Sequence, residues 1–296
     1  MHRSEAGRVL LTGATGFTGR HLRPALERAG HTVIDAEGTG APFDLTRPET
    51  VAEVVRATRP DYVIHLAALS FVGHGDAAGF YAVNTVGTTH LLEALIAAPQ
   101  PVRRVVVASS ANIYGNAEVE PITEDTPPAP VNHYAASKLA MEHMVRTYAA
   151  RLPLVMTRPF NYTGAGQTES FLVPKLVAHF ARRAPAIELG NIEVVRDFSD
   201  VRTVAEAYVR LLGAQVPDGV VNLCSGTGRS LRWILEQLTE LSGHALEFKV
   251  NPAYVRASEV HRLVGSPARM RAALGELPHQ DFRATLAWML EAARGA

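Results

Sequence analysis

Cysteine occurs once in the 296 residues, at Cys224, so no disulfide can close within the chain. The twelve histidines have no second cysteine to pair with and no H-E-x-x-H spacing, so neither a structural nor a catalytic metal site is expected. Lysine is nearly as scarce: Lys138, Lys175 and Lys249 are the only three among 29 basic residues, and a lysine in a chemical position stands out. A surplus of either charge is missing as well, because 29 Lys and Arg face 29 Asp and Glu. That balance removes the basic excess on which sequence-independent nucleic-acid binding relies. Although 47% of residues are hydrophobic, charges interrupt every run before the roughly 18 apolar residues of a membrane span. The first fifteen residues also lack a signal-peptide apolar core, and the expectation is a soluble cytoplasmic protein with no membrane partner. Repeats and low-complexity tracts are absent.

What is present is alternation. Short β-branched runs (Arg8 to Thr12, Thr32 to Ala36, Tyr62 to Leu66, Arg104 to Ser109, Leu154 to Thr157) are separated by amphipathic stretches at Phe17 to Ala29, Glu49 to Thr58, Phe80 to Ala97 and Tyr134 to Ala150. This is the pattern of βαβ units and predicts an α/β fold, a doubly wound parallel sheet. Gly115 to Asn132 carries four prolines among four acids and reads as a loop. Beyond Arg158 the alternation loosens: Phe171 to Arg183, Val201 to Leu212, Leu231 to Leu241 and Phe282 to Ala293 read as helices and Val220 to Leu223 as a strand. A first domain over 1–160, to which the chain returns once near 196–222, and a smaller lobe from 161–195 and 223–296 are expected.

The first strand runs into Thr12-Gly13-Ala14-Thr15-Gly16-Phe17-Thr18-Gly19, which opens a helix. Gly13 permits a tight turn, Gly16 lets backbone amides approach a pyrophosphate, and Gly19 allows the helix to pack on the strand, so a dinucleotide is the expected ligand. An acid ending the second strand would accept hydrogen bonds from the adenosine ribose and repel a 2′-phosphate. Glu37, 24 residues past Gly13, is preferred over Asp35, which favours NAD(H) with NADP(H) as the alternative. Asp44 and Leu45 fall where a loop could touch adenine, with a helix cap before Pro48 as the other reading of Asp44.

Tyr134 and Lys138 lie four apart on one helical face. A cation about 4 Å from the phenol at an effective dielectric near 20 would contribute about 4 kcal/mol, which predicts a tyrosine brought down toward the neutral range. Ser109 and Ser110 end a buried-looking strand at its C-terminal edge, where ligands bind in open parallel sheets. Ser110, Tyr134 and Lys138 together suit hydride transfer coupled to proton transfer.

The glycine turn, His65-Leu66-Ala67-Ala68, Asn84, Ser109 to Gly115 and Y-x-x-x-K resemble the extended short-chain dehydrogenase/reductases that act on nucleotide sugars, over nearly the whole chain. The resemblance implies a Rossmann NAD(P)-binding domain with a smaller C-terminal substrate-binding lobe, a homodimer, and Ser110, Tyr134 and Lys138 as catalytic triad. Lys138 would also hold the nicotinamide ribose, while Thr15, Phe17, Leu66, Ala67, Ala68 and Asn84 would line or brace the cofactor cleft. His133 departs from the family, which usually has proline there. Arg158 to Gln167, Leu189 to Ile192, Arg196 to Phe198 and Val255 to Val260 are similar to the GDP-mannose 4,6-dehydratase and GDP-4-keto-6-deoxy-mannose reductase branch. There Asn161, Arg196 and Arg256 would grip the sugar diphosphate and Glu259 a nucleotide ribose. Surface ion pairs of Arg196 with Asp197 and of Arg256 with Glu259 are the plainer readings.

Dehydration of a hexose requires an acid and a base beyond hydride transfer, which the dehydratases carry just after the triad Ser or Thr. Here those positions are Ala111 and Asn112, which cannot ionise, and Asn112 is left as a substrate contact. The expected reaction is therefore reduction of the C4 ketone of a nucleotide-linked, GDP-linked for preference, 4-keto-6-deoxy-hexose. An NAD-dependent nucleotide-sugar 4-epimerase is the alternative; a 4,6-dehydratase or a catalytically inert dinucleotide sensor fits less well.

Overall fold

Arg8–Thr12 forms β1 because its side chains are apolar on both faces: Val9 and Leu11 enter one buried layer and Leu10 the other. Each such aliphatic side chain, fully buried, contributes about 1.5–3 kcal/mol. In the computed structural model, which describes residues 4–70, 76–216, 219–254, 260–278 and 280–295, the elements continue as α1 (Phe17–Arg28), β2 (Thr32–Asp35), α2 (Pro48–Thr58), β3 (Tyr62–His65), α3 (Ala77–Tyr81), α4 (Thr88–Ala97), β4 (Arg104–Ala108), α5 (His133–Arg146) and β5 (Leu154–Pro159). There follow β6 (Asn161–Thr163), α6 (Leu172–Ala181), β7 (Ala186–Leu189), β8 (Val195–Asp200), α7 (Val201–Leu211), β9 (Val220–Leu223), β10 (Gly228–Ser230), α8 (Leu231–Ser242), β11 (Glu247–Val250), β12 (Arg262–Leu263), α9 (Ala268–Leu274) and α10 (Phe282–Arg294).

Six strands in the order β2-β1-β3-β4-β5-β9 form one sheet, every pairing in it parallel. The order reverses between β1 and β3, which opens a crevice at their carboxyl ends. One face packs on α1, α7 and α9 and the other on α2, α4 and α5, as a doubly wound Rossmann-like sheet requires. The smaller lobe has its own core, in which Leu176 and Phe180 of α6, Ile234 and Leu238 of α8 and Leu286 of α10 meet. Its sheet joins β10, β8 and β12, with β6 also on β8.

Three expectations change. The single helix over Phe80 to Ala97 is instead α3, a π-helical turn at Ala82–Gly87, and α4. In the widened turn the Thr88 hydroxyl donates to the Asn84 carbonyl at 2.7 Å. Residues 196–200 belong to β8 of the small sheet, so the return to the first layer begins at α7 and ends in β9. A second return follows: α9 sends Met270 and Leu274 into the same core as Tyr208 and Leu211 of α7.

Candidate active site

At the switch point a cleft of about 590 Å³ is lined by Gly13, Thr15, Gly16 and Phe17 after β1, Leu66 to Ala68 after β3, Ser109 to Asn112 after β4, Tyr134 and Lys138 on α5, and Asn161 and Tyr162 on β6. The turn that opens it is tight. Gly13 has φ +71°, and a Cβ there would stand 2.9 Å from the Ala67 amide nitrogen. A Cβ on Gly19 would fall 2.4 Å from the Gly13 carbonyl oxygen, so only glycine lets α1 lie this close to the turn. No side chain caps α1, and no acid lies in its first turn. Gly16, Phe17 and Thr18 at the positive helix end line the cleft, a site for an anion such as pyrophosphate.

Of the two competing acids, Glu37 reaches the turn, its carboxylate accepting from the Gly13 amide at 2.6 Å. Asp35 is occupied by Arg23 at 3.1 Å and by the Glu37 amide at 3.0 Å. Partial burial, helped by the Asp35 carboxylate, raises Glu37 above its ordinary carboxylate range, against the pull of the Gly13 amide.

Tyr134 sits in the first turn of α5, whose start is set by Asn132: its side-chain oxygen accepts from the Ala135 amide at 2.9 Å. His133, the first helical residue, meets Tyr81 at 3.3 Å instead of lining the cleft. Ser110 Oγ accepts from both the amide and the side-chain Nδ2 of Asn112, each at 3.2 Å. With both lone pairs so engaged, its own proton is directed outward, and the Tyr134 phenol is the partner it meets. Lys138 is 4% exposed, and its Nζ donates to the Ala108 carbonyl at 2.7 Å.

The electrostatics reverse one expectation. Burial pushes the Tyr134 phenol up to about 12, with the Ser110 hydrogen bond opposing it, while burial brings Lys138 down to about 8. The expected lowering by Lys138 is not found: desolvation of the phenolate dominates, and the opposing influence is the Ser110 hydrogen bond, while the Lys138 ammonium is engaged by the Ala108 carbonyl. Tyr134 is consequently protonated at neutral pH, the state an acid needs.

The NAD dependent epimerase/dehydratase family matches residues 9–224. The chain belongs to that family. It is 37% identical to a GDP-6-deoxy-D-talose 4-dehydrogenase of Aggregatibacter actinomycetemcomitans, covering 94% of this chain and 93% of that protein. It is 35% identical to a GDP-6-deoxy-D-mannose reductase of Pseudomonas aeruginosa, covering 94% of each. The solved structure of RMD from Pseudomonas aeruginosa complexed with NADPH superimposes with a TM-score of 0.90 at 33% identity, over 98% of this chain and 99% of that one. As a family member of the extended short-chain dehydrogenase/reductase type, the protein is an NAD(P)-dependent enzyme. The glycine turn fits that cofactor, since the space a Cβ would fill at Gly13 and Gly19 is what keeps the helix start open to it.

Other residues singled out in the sequence lie elsewhere. Asp44 closes its own turn by accepting from the Thr46 amide and hydroxyl at 2.8 and 2.7 Å, while Arg47 stands at the α2 cap. Leu45 is buried against Gly87. Neither lines the cleft. Asn84, 1% exposed, spends its amide on both backbone groups of Leu69 and on Ser137, and so braces the segment after β3 against α5. Arg196 is not among the cleft residues: its guanidinium donates to the Val195, Val260 and His261 carbonyls, holding β8 to the segment that leads into β12. Its neighbour Asp197 does not pair with it but accepts from Ser225 and Gly226. Arg256 and Glu259 lie outside the described residues.

Tyr162 escaped the sequence reading. It stacks on Phe17 with centroids 6.2 Å apart, and its hydroxyl lies 2.7 Å from Thr18 Oγ1 at the start of α1. The segment that follows is clasped too: Arg20 donates to the Gly166 carbonyl at 2.8 Å, and His21 bonds the Ala165 carbonyl at 3.0 Å. Its position directly after Asn161 was the one available signal, but a three-residue strand has too little pattern to reveal it.

Proposed function

We propose that this enzyme reduces the C4 ketone of a GDP-linked 4-keto-6-deoxy-hexose with NADH or NADPH. The observation that carries the reading is the pair Ala111 and Asn112: neither ionises, and Asn112 turns its amide to Ser110, so the place from which a dehydratase would work its proton transfers holds no acid. A protonated Tyr134 beside Ser110 is the complementary feature, and the relatives that act on GDP-6-deoxy-hexoses support the substrate class. A bound reduced nicotinamide supplies the hydride. The turn of Gly13, Thr15, Gly16 and Phe17 would hold its pyrophosphate, Glu37 its adenosine ribose, and Lys138 the nicotinamide ribose. Tyr134 gives its proton to the C4 oxygen, and Ser110 donates a hydrogen bond to the same oxygen, drawing off the charge that builds there. Asn161, at the cleft edge of β6, would contact the sugar diphosphate.

Glu37 at the glycine turn favours NADH, and by the same token it favours the second reading, a 4-epimerase that retains NAD. The division into a cofactor domain and a substrate lobe, the homodimer and the cytoplasmic location belong to the same proposal; no described helix is long and apolar enough to cross a membrane. The test is incubation with a GDP-4-keto-6-deoxy-hexose and reduced cofactor, followed at 340 nm and by product mass. Stoichiometric cofactor oxidation with a product two mass units heavier is expected. Interconversion of nucleotide hexoses without added cofactor would establish the epimerase instead, and a 4-keto-6-deoxy product from GDP-mannose would establish a dehydratase.

A further inference from the structure

Glu142 stands one helical turn beyond Lys138 and two beyond Tyr134, on the same face of α5. It is fully buried, which for a carboxylate demands partners. Arg158 on β5, itself 4% exposed, meets it with two nitrogens, Nε at 2.9 Å and an Nη at 2.7 Å, and Arg146 adds a third bond at 3.2 Å from the surface side. The remaining Arg158 nitrogen donates to the Tyr114 hydroxyl and to the Glu124 carbonyl, both at 2.8 Å. Tyr114 ends the short 3₁₀ turn that begins right after Ser110, and its hydroxyl donates to Asn222 on β9 at 2.8 Å. One guanidinium thus ties the helix bearing Tyr134 and Lys138 to the turn bearing Ser110.

We propose that the Glu142–Arg158 pair positions Lys138: the carboxylate keeps the buried ammonium charged, and the guanidinium limits how strongly it does so. Among the described residues Glu142 is the one carboxylate whose charge acts on Lys138, and it offsets part of the burial that drives the ammonium down. The other groups facing Lys138 are Tyr134 on its own helix, the Ala108 carbonyl on β4, and His65 on β3, which burial holds neutral. None of them is an anion at neutral pH, so the negative charge one turn away is what opposes the burial. The inference rests on the proposed role of Lys138, and the test separates the two.

Only three lysines occur, so ¹³Cε-lysine labelling yields three resonances, with Lys175 and Lys249 assigned by replacement with arginine. The Lys138 resonance should titrate with a midpoint near 8. Glu142→Gln should lower that midpoint by about one pH unit, the low end for loss of a nearby opposite charge. Arg158→Gln should raise it, and the double variant should return it toward the native value. The alkaline limb of ketone reduction should shift in the same directions. If Glu142→Gln fails to fold, the opposite shift in Arg158→Gln and its reversal in the double variant still decide the matter. A merely structural pair would leave the midpoint unmoved or shift it the same way in both single variants, which overturns the inference. Midpoints that move while the rate limb does not would uphold the positioning and remove Lys138 from the reaction.

Discussion

Lowering the pH should weaken the fold through a single imidazole. His65, 2% exposed at the end of β3, is held by two threonines: its Nδ1 lies 2.7 Å from Thr12 Oγ1 and its Nε2 3.0 Å from Thr88 Oγ1. The Thr88 proton is committed to the Asn84 carbonyl, so Nε2 carries the histidine proton and Nδ1 accepts from Thr12. Thr12 in turn accepts from the Ala67 amide, which fixes the strand end that lines the cleft. Burial brings this histidine from 6.5 down to about 3, with the Lys138 charge acting in the same direction. The unfolded chain therefore binds the proton more readily than the folded one. The stabilisation is present in full above pH 6.5 and is lost as the pH falls from there toward 3, about 5 kcal/mol in all. Between pH 7.5 and 5.5, before most carboxylates titrate, the loss amounts to about 1 kcal/mol. Urea unfolding of the native protein and of His65→Gln at these two pH values isolates it, because His31 and the other titrating groups contribute equally to both. The native protein should lose about 1 kcal/mol more than the variant. Equal losses would mean that His65 is not held neutral by burial, and the reasoning would fail.

Tyr134→Phe should leave cofactor affinity within about twofold and reduce turnover by at least ~10²-fold, the scale of a lost general acid, as read in a steady-state assay beside a cofactor titration. Glu37→Ala should shift preference from NADH toward NADPH; a strong native NADPH preference untouched by the substitution would show that Glu37 does not read the ribose. Gly19→Ala drives a methyl group into the Gly13 carbonyl and should weaken cofactor binding at least tenfold while costing about 1–3 kcal/mol in urea unfolding. Native affinity in that variant would mean that the turn can yield without losing its shape.

The main sheet was legible because its strands are continuous apolar runs and its helices carry one apolar face. β1 and β9 occupy the same residues as expected, and α1 and α7 end within one residue of expectation. What escaped notice lacked such a pattern. β6, β10 and β12 are two or three residues long and pair with β8 across large sequence separations, so no local periodicity marks them. The π turn at Ala82–Gly87 hides in a sequence whose apolar spacing still looks helical. Within the cleft, the glycine turn, Ser110, Tyr134 and Lys138 could be placed together from motif and strand order, and Asn161 was added only by the family resemblance. The ionisation of Tyr134 could not, because its sign depends on burial that no spacing reveals. Glu142 and Arg158 look in sequence like any two charges on a surface, and only the packing of α5 on β5 makes them an interior pair.

The two returns of the chain bear on how such enzymes can be recombined. A crossover after β5 joins the first five strands of one relative to the second half of another. Yet α9, far along the second half, fills the core under α7 and β9 with Met270 and Leu274, and Ile122 of the first half bridges Gly265. A chimera made at one junction would carry a foreign plug into the native sheet. Exchange of the second half between relatives should need residues 268–274 to travel with the first half, because their side chains belong to the core of the six-stranded sheet.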